Sequence, residues 1–317
     1  MNFEFTEEQI MLRDSVARLV QDDYDFDTRR AIVESDEAMS REKWQMFAEL
    51  GWLSIPFAEE HGGFGGSAVH VMLMKEQLGK GLVVEPYLAT VLLFGNLLQK
   101  GGSEALQADY IPGIIDGSTL GAFAYLERQS RFELADIKTS AVAQGDDYVL
   151  NGEKVVVLNG ANADQVIVSA RTSGQQWDEQ GISLFLVAAD TPGLDKLTYR
   201  MMDGQLVANL VFNDVRVSAA QLVGDLDGGY ALIEAVAMEA NLALAAEALG
   251  IMEQLNAKTL EYTRTREQFG VPIGSFQALQ HRMVDTFMAY EQTKSLLYRA
   301  VCAMSDEQED VTTAVHA

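Results

Sequence analysis

Tyr262-Thr-Arg-Thr-Arg-Glu-Gln-Phe-Gly-Val-Pro-Ile-Gly-Ser-Phe-Gln-Ala-Leu-Gln280 ends one helix and starts another within a few residues. The helix ahead closes on Arg264 and Arg266, Gly270 supplies a stop, and Pro272 bars re-entry. Ser275 is placed to cap the next helix, whose first turns carry Gln277 and Gln280. Core packing alone does not ask for such a run. The elbow gathers a guanidinium, an aromatic ring and two amides. Arg pairs bidentately with phosphate and a Phe ring offers a stacking face, so the set suits a ligand with phosphates and a planar ring. A plain helix corner with solvated arginines accounts for the same residues on chemistry alone.

Outward from the elbow the spacing predicts a long Ala-rich helix from Gly228-Gly229 to about 264 and a second from Ser275 to about 305. The polar stretch Ser305-Asp-Glu-Gln-Glu-Asp310 is expected to fray. Upstream, from about 118 to 225, short apolar runs alternate with turn residues. Gly121-Ala-Phe-Ala-Tyr125, Tyr148-Val-Leu-Asn151, Lys154-Val-Val-Val-Leu158, Gln165-Val-Ile-Val-Ser169, Gly181-Ile-Ser-Leu-Phe-Leu-Val187 and Leu206-Val-Ala-Asn-Leu-Val-Phe212 read as strands. Gly145-Asp-Asp147, Asn151-Gly152 and Thr191-Pro-Gly193 read as turns. Strands without intervening helices predict an antiparallel barrel or sandwich. No glycine-rich dinucleotide fingerprint interrupts them, so a Rossmann domain is not supported.

Residues 1 to 117 read as helices. Thr6-Glu-Glu-Gln9 is a capping-box spelling followed by an apolar stripe of Ile10, Leu12, Val16, Leu19 and Val20. Ser40 opens a short helix with Trp44, Phe47 and Leu50 on one side, and Ser67 caps another after the loop His61-Gly-Gly-Phe-Gly-Gly66. That glycine density permits either a flexible turn or a close backbone approach. The fold class is therefore α+β and multidomain. It comprises an N-terminal α-helical domain at 1–117, a middle antiparallel β domain at 118–225, and a C-terminal helical bundle at 226–317 that looks incomplete at its end.

With 317 residues and 48% hydrophobic content the chain can bury a sizeable core. One cysteine, Cys302, excludes a disulfide framework, and His61, His70, His281 and His316 show no paired spacing, so no metal site is expected. The formal net charge of -24, with no basic cluster longer than Arg29-Arg30, argues against nucleic acid and anionic membranes. A polyanionic substrate still fits a local cationic pocket, because salt screens the far field beyond roughly 8–10 Å. The richest apolar run, Val83 to Leu98, is broken by Glu85, Pro86 and Asn96 and falls short of the roughly 18 apolar residues of a membrane span. The start, Met1-Asn-Phe-Glu-Phe-Thr-Glu-Glu8, lacks the basic and apolar regions of a signal peptide, which fits a cytoplasmic protein.

The spelling Arg266-x-Gln268-Phe269-Gly270-x-Pro272-Ile273-x-x-Phe276-Gln277-x-x-Gln280 resembles the signature of the acyl-CoA dehydrogenase family of flavoproteins. Pro56-x-x-Glu59-x-x-Gly62-Gly63-x-Gly65-Gly66 and Asn151-Gly152-x-Lys154 resemble the family too, and all three stand in family order. The resemblance implies FAD as cofactor, an acyl-CoA substrate of fatty-acid or related catabolism, an electron-transfer flavoprotein as acceptor, and a homo- or hetero-oligomer. It gives Arg266, Phe269 and Gln277 contact with the FAD of a neighbouring subunit. The family's last domain is normally a four-helix bundle, of which two helices fit here. The region expected to follow carries a further FAD contact and, in many members, the catalytic glutamate.

The implied reaction removes an α-proton by a carboxylate while hydride leaves the β-carbon for the flavin. Glu239 is the carboxylate whose helical neighbours, Leu232, Ala235, Val236, Leu242, Ala243 and Ala246, place it on an apolar stripe suited to a base. A structural carboxylate paired with a neighbouring helix fits the same position, and the family glutamate of this helix aligns with Ala240. Where the family often places Asp and Arg in this helix, the chain has Met238 and Asn241. Its first flavin loop reads Tyr125-Leu-Glu-Arg-Gln-Ser-Arg131, with Leu126 at the family threonine, and Val156 stands where an aromatic residue commonly covers the flavin. Glu127, Ser130 and Lys154 remain as polar candidates there, and Glu127, Ser130 and Val156 join the cofactor-binding set. Arg128, Arg131 and His61 are candidates for a carboxylated substrate, or solvated charges. The loop and the Ile273 to Arg282 spelling are similar to the small subunit of pimeloyl-CoA dehydrogenases, which implies a mixed interface. Two rival activities stay open: a non-catalytic or partly catalytic subunit, and a flavin monooxygenase or oxidase on the same fold.

Overall fold

In the computed structural model, which describes residues 4–305 and 311–316, Thr6 opens the first helix as its spelling requires. The Gln9 N–H donates to Thr6 Oγ1 at 3.2 Å and the Thr6 N–H donates to Gln9 Oε1 at 3.0 Å. The chain then runs through α1 (Glu7–Asp23), α2 (Phe26–Glu34), α3 (Arg41–Glu49), α4 (Ala68–Lys80), a π-helix over Tyr87–Gly95, α5 (Asn96–Gly101) and α6 (Glu104–Ile115). Eight strands follow: β1 (Gly121–Ala124), β2 (Ser140–Gln144), β3 (Asp147–Leu158), β4 (Gln165–Arg171), β5 (Ile182–Ala188), β6 (Leu194–Arg200), β7 (Leu206–Ser218) and β8 (Leu222–Val223). It ends in α7 (Gly229–Thr265), a two-stranded ribbon of β9 (Glu267–Gln268) and β10 (Val271–Pro272), α8 (Gln277–Ser305) and α9 (Val311–His316). The expected fraying of Ser305 to Asp310 falls on residues 306–310, outside the described residues, as does the side chain of His316. The order helices, strands, helices is the one the sequence predicts.

The described residues group into two compact units that alternate along the chain. One contains 1–29, 67–83 and 241–317, the other 30–66 and 84–240. In the first unit Met72 and Leu73 of α4, Leu242, Ala246 and Leu249 of α7, and Leu297, Ala300 and Val301 of α8 form one apolar core. Here α4 and α7 touch backbone to backbone. A Cβ on Gly250 would lie 1.9 Å from the Glu76 carbonyl oxygen, and one on Gly79 2.2 Å from that of Glu247. Lys75 Nζ to Glu247 Oε2 at 2.5 Å and Lys80 Nζ to Glu253 Oε2 at 3.0 Å flank the contact.

By length and composition α7 is apolar enough to cross a membrane, with an 18-residue window of mean hydropathy 1.4. Its carboxylates Glu239, Glu247 and Glu253 are each paired with a lysine of α4 or α5, which is the environment of a packed helix.

In the second unit the sheet runs β6-β7-β3-β2-β4-β5-β8, with β1 beside β4. Most pairings are antiparallel, as predicted, but β1 and β2 both run parallel to β4. Its core takes alternate residues of the strands, among them Leu150, Val166, Val168, Phe185, Leu210 and Phe212. Asn151-Gly152 is not a turn. It lies inside the single long β3, at a register shift against β7, with Gly152 at φ +149°. A Cβ there would meet Thr139 at under 3 Å, so the dipeptide that reads as a turn instead admits a neighbouring chain segment. The edge strand β6 was not legible as a strand because six of its seven residues face solvent and carry no apolar alternation.

The π-helix joins this sheet through a buried polar cluster. Thr90 Oγ1 donates to the Gly121 carbonyl at 3.0 Å and accepts from the Gly121 N–H at 3.2 Å, while Asn159 Nδ2 donates to Thr90 Oγ1 at 3.3 Å. The glycine loop at 62–66 packs back on its own approach: the N–H groups of Gly63, Phe64, Gly65 and Gly66 donate to the carbonyls of Ala58, Ser54, Phe57 and Ile55. Gly63 and Gly66 serve a close backbone approach, to Phe57 and Ile55, whereas Gly62 and Gly65 have room around them and supply positive φ.

Candidate functional site

At the elbow, α7 stops at Thr265 and the chain makes a hairpin, pairing Gln268 with Val271 and Glu267 with Pro272. Phe269 at φ +55° and Gly270 at φ +78° form its two-residue turn, the signature of a type I′ hairpin. Glycine holds this conformation without cost, whereas Phe269 holds it against steric preference and is 93% exposed. Such strain collects at ligand clamps. The Ile273 N–H donates to the Arg266 carbonyl at 2.8 Å, closing the ribbon at the base of the guanidinium. Among the described residues the Arg266 guanidinium and the Gln277 amide have no hydrogen-bond or ion-pair partner, and both are exposed. Phe276 packs edge-on to Phe269, 6.2 Å between ring centres. Ser275 does not cap α8. Its Oγ donates to the Pro272 carbonyl at 2.7 Å within a short 3-10 turn, and α8 starts after Phe276.

In the other unit the loop after β1 folds around a buried ion pair. Lys154 Nζ, fully buried, donates to Glu127 Oε1 at 2.8 Å, to Ser169 Oγ at 3.0 Å and to the Tyr125 carbonyl at 3.3 Å. The Glu127 carboxylate also accepts from the N–H groups of Thr139 and Lys138 and from Gln129 Nε2. Burial pushes the Glu127 carboxyl up, but the Lys154 ammonium and these donors more than offset it and hold it at about 2. Burial draws the Lys154 ammonium down, with Glu127 pulling it back up. Ser130 Oγ donates to the Glu127 carbonyl and accepts from the Glu127 N–H, each at 3.0 Å. Glu127, Ser130 and Lys154 are thus brought together, but their side chains are committed to one another inside the loop. Arg128 is likewise engaged, by Glu153 at 2.7 and 3.2 Å. His61 Nε2 lies 3.6 Å from a Glu60 carboxylate oxygen.

Val156 remains on the surface, on a bulge of β3, and is a β-branched residue at φ +51°. The bulge sends the Val155 N–H to the Leu126 carbonyl at 2.8 Å, which ties the Leu126 backbone to the residue before Val156. Leu126 and Val156 are the two positions that the resemblance sets against the flavin. Asn209, whose side chain meets this bulge, escaped sequence reading. The available signal was an Asn inside the otherwise apolar run of β7, a residue that strands disfavour.

Glu239 has both oxygens engaged. Oε1 lies 2.8 Å from Lys100 Nζ and Oε2 accepts from Asn96 Nδ2 at 2.8 Å. Among the described residues there is no group of three or more His, Cys, Asp or Glu that could hold a metal ion.

The exposed elbow and the strained bulge stand in segments that match known proteins. The models of the acyl-CoA dehydrogenase N-terminal, middle and C-terminal domains match residues 6–118, 122–215 and 227–317. The chain belongs to the acyl-CoA dehydrogenase family. A probable acyl-CoA dehydrogenase of Bacillus subtilis (strain 168) is 33% identical over 308 residues, covering 95% of this chain and 80% of the relative. The solved butyryl-CoA dehydrogenase of Megasphaera elsdenii superposes with a TM-score of 0.88 at 28% identity, covering 99% of this chain and 84% of that one. PigA, solved with FAD and proline, gives a TM-score of 0.92 at 28% identity, covering 99% of this chain and 83% of that one.

This acyl-CoA dehydrogenase is accordingly an FAD-dependent oxidoreductase that acts on acyl-CoA thioesters. Its elbow fits the cofactor: an unpartnered guanidinium suits a pyrophosphate, and an exposed ring held off its preferred backbone suits a stacking contact. On the sheet side Val156 is the exposed apolar residue, while the Glu127, Ser130 and Lys154 side chains are engaged with one another and with their own loop.

Proposed function

We propose that this acyl-CoA dehydrogenase introduces the α,β double bond into a short-chain acyl-CoA, acts in the cytoplasm, and passes its electrons to an electron-transfer flavoprotein. The observation that carries the reading is the elbow, where the Arg266 guanidinium and the Gln277 side-chain amide stand exposed without polar partners among the described residues, beside the exposed ring of Phe269. Likeness to butyryl-CoA dehydrogenase and to PigA with proline supports a small acyl group. When bound, FAD accepts the hydride from the β-carbon. The chain's residues bind and orient. Arg266 would neutralise the pyrophosphate of FAD in a neighbouring subunit, with Phe269 packing on that cofactor and Gln277 donating to it, and, separately, Leu126 and Val156 would line the sheet-side face of a flavin bound at their own unit. The protein works as an oligomer, because the elbow and α8 otherwise display Phe269, Phe276, Val284 and Phe287 to solvent. Its sequence modules fall at 1–117, 118–225 and 226–317.

The test is the visible spectrum of the purified protein under anaerobic titration with acyl-CoAs. Bleaching of the flavin bands by butyryl-CoA is expected, and failure of every thioester to bleach them would sink the reading. Arg266→Ala removes a charge-assisted contact of about 1.5–3 kcal/mol, so FAD affinity should fall roughly 10- to 150-fold with the fold retained. Unchanged FAD retention in equilibrium dialysis would remove Arg266 from the site.

We further propose that Glu239 anchors α7 to α5 rather than serving as the base. Both of its oxygens are already engaged, Oε1 by Lys100 and Oε2 by Asn96, so neither stands open to a substrate. Glu239→Gln should leave kcat within about threefold while lowering stability by about 1 kcal/mol. A loss of kcat by about a thousandfold or more with unchanged flavin spectrum would return the base role to Glu239.

A further inference from the structure

Opposite Asn209, β3 carries one residue too many. Lys154 pairs with Leu210 and Val157 with Ala208, so Val155 and Val156 together face Asn209 alone. A bulge of this kind strands two backbone N–H groups, and each must find an acceptor outside the regular ladder. The Val155 N–H takes the Leu126 carbonyl at 2.8 Å. The Val156 N–H takes Asn209 Oδ1 at 3.1 Å. The same Oδ1 accepts from the Tyr199 hydroxyl of β6 at 3.2 Å, which aims the amide.

Val156 is held at φ +51°, a backbone region that a β-branched residue adopts only when its surroundings over-determine it. Ladder bonds cannot supply that determination here, because the ladder is broken at this residue. The partner that the structure gives the Val156 N–H is the Asn209 side chain.

We propose that Asn209, aimed by Tyr199, is a positioning residue for the flavin-facing surface: it holds the Val156 bulge, and through that bulge the docking of Leu126. The inference rests on the reading that FAD lies against Leu126 and Val156. Asn209 touches neither cofactor nor substrate in this assignment. Its effect travels through one hydrogen bond to Val156 and through the backbone step from Val156 to Val155 and on to Leu126. Removing the acceptor leaves the Val156 N–H free to turn and lets the strand relax toward regular pairing. Such a shift by one residue exchanges the faces on which Val155 and Val156 point.

The experiment compares Asn209→Leu, Asn209→Asp, Tyr199→Phe and Val156→Trp in the purified chain reconstituted with FAD. Flavin absorbance, flavin-band circular dichroism and FAD affinity are read alongside the melting of flavin-free protein. Asn209→Leu should weaken FAD about tenfold or more, equivalent to about 1.4 kcal/mol, and shift the flavin dichroism. Asn209→Asp keeps an acceptor for both donors and should restore the parent spectrum, and Tyr199→Phe should fall between them. If Asn209→Leu lowers the melting temperature of flavin-free protein but leaves FAD affinity and dichroism unchanged, Asn209 is structural only and the proposal is overturned. Val156→Trp tests the underlying reading separately. A tryptophan beside the flavin should quench its fluorescence, and no change there would overturn both the location and the proposal, whereas quenching with a silent Asn209→Leu overturns the Asn209 role alone.

Discussion

Gly250→Ala is expected to be among the most damaging single substitutions in the chain. Its new methyl would sit 1.9 Å from the carbonyl oxygen of Glu76 and 2.9 Å from the carbonyl carbon, and both atoms are backbone of α4. A flexible side chain could swing aside, but a helix backbone cannot. The two helices must part, and by roughly an ångström or more before ordinary contact distances return. Separation would also pull Lys75 from Glu247 and Lys80 from Glu253, and loosen the core of Met72, Leu73, Ala246 and Leu249. We expect a loss of about 3–5 kcal/mol, at the upper end for overpacking, read as a lower denaturation midpoint with and without FAD. Gly145→Ala is the control. Gly145 has φ +66° but nothing within 4 Å of the added carbon, so only the left-handed strain of about 1 kcal/mol applies. Equal losses at the two positions would show that the contact between α4 and α7 is not what limits stability.

Lys154→Met is the second large effect. It removes the ammonium from a carboxylate that is itself 4% exposed, and leaves Glu127 charged without its cation. Breaking one side of a buried pair costs about 3–5 kcal/mol, most of it the penalty of the stranded charge. Glu127→Gln added to Lys154→Met should therefore recover part of the loss, a non-additivity that double-mutant cycles detect.

The same pair sets an acid limb. Glu127 is held at about 2 in the folded chain against an ordinary 4.5, so between those values the folded state binds fewer protons than the unfolded one. Its contribution is present above about pH 4.5 and is lost as pH falls toward about 2, on the order of 3 kcal/mol in all. In Lys154→Met the burial that raises the Glu127 pKa is opposed only by Gln129 and backbone N–H groups, so the folded-state value moves up and the acid limb shrinks. Denaturation midpoints from acid to neutral pH separate the two slopes, and parallel curves for parent and variant would show that Lys154 does not govern Glu127.

Much of the helical architecture was legible because its signals are local. Thr6 and Gln9 make the capping box their spacing announces, and the apolar period carries α7 and α8 to within a few residues of their observed ends. The elbow's chemistry was legible too, though not its hairpin, since Phe269 at a left-handed turn position is a choice that propensity argues against. Asn151-Gly152 misled for the converse reason. A favoured turn dipeptide was overridden by the ladder between β3 and β7.

The site residues divide along the same line. Arg266, Phe269 and Gln277 project from a local motif, and their standing together follows from chain order alone. Glu127, Ser130, Lys154 and Glu239 depend on partners 2 to 143 residues away, and nothing short of the packed fold shows that their side chains are spent on one another, on Lys100 and on Asn96. Asn209 belongs with them, because its partner N–H exists only once β3 has bulged against β7. Periodicity, capping and motif spelling are short-range properties that a chain carries unfolded. Which polar group meets which acceptor is fixed when distant segments are brought within hydrogen-bond reach, and that happens only in the folded protein.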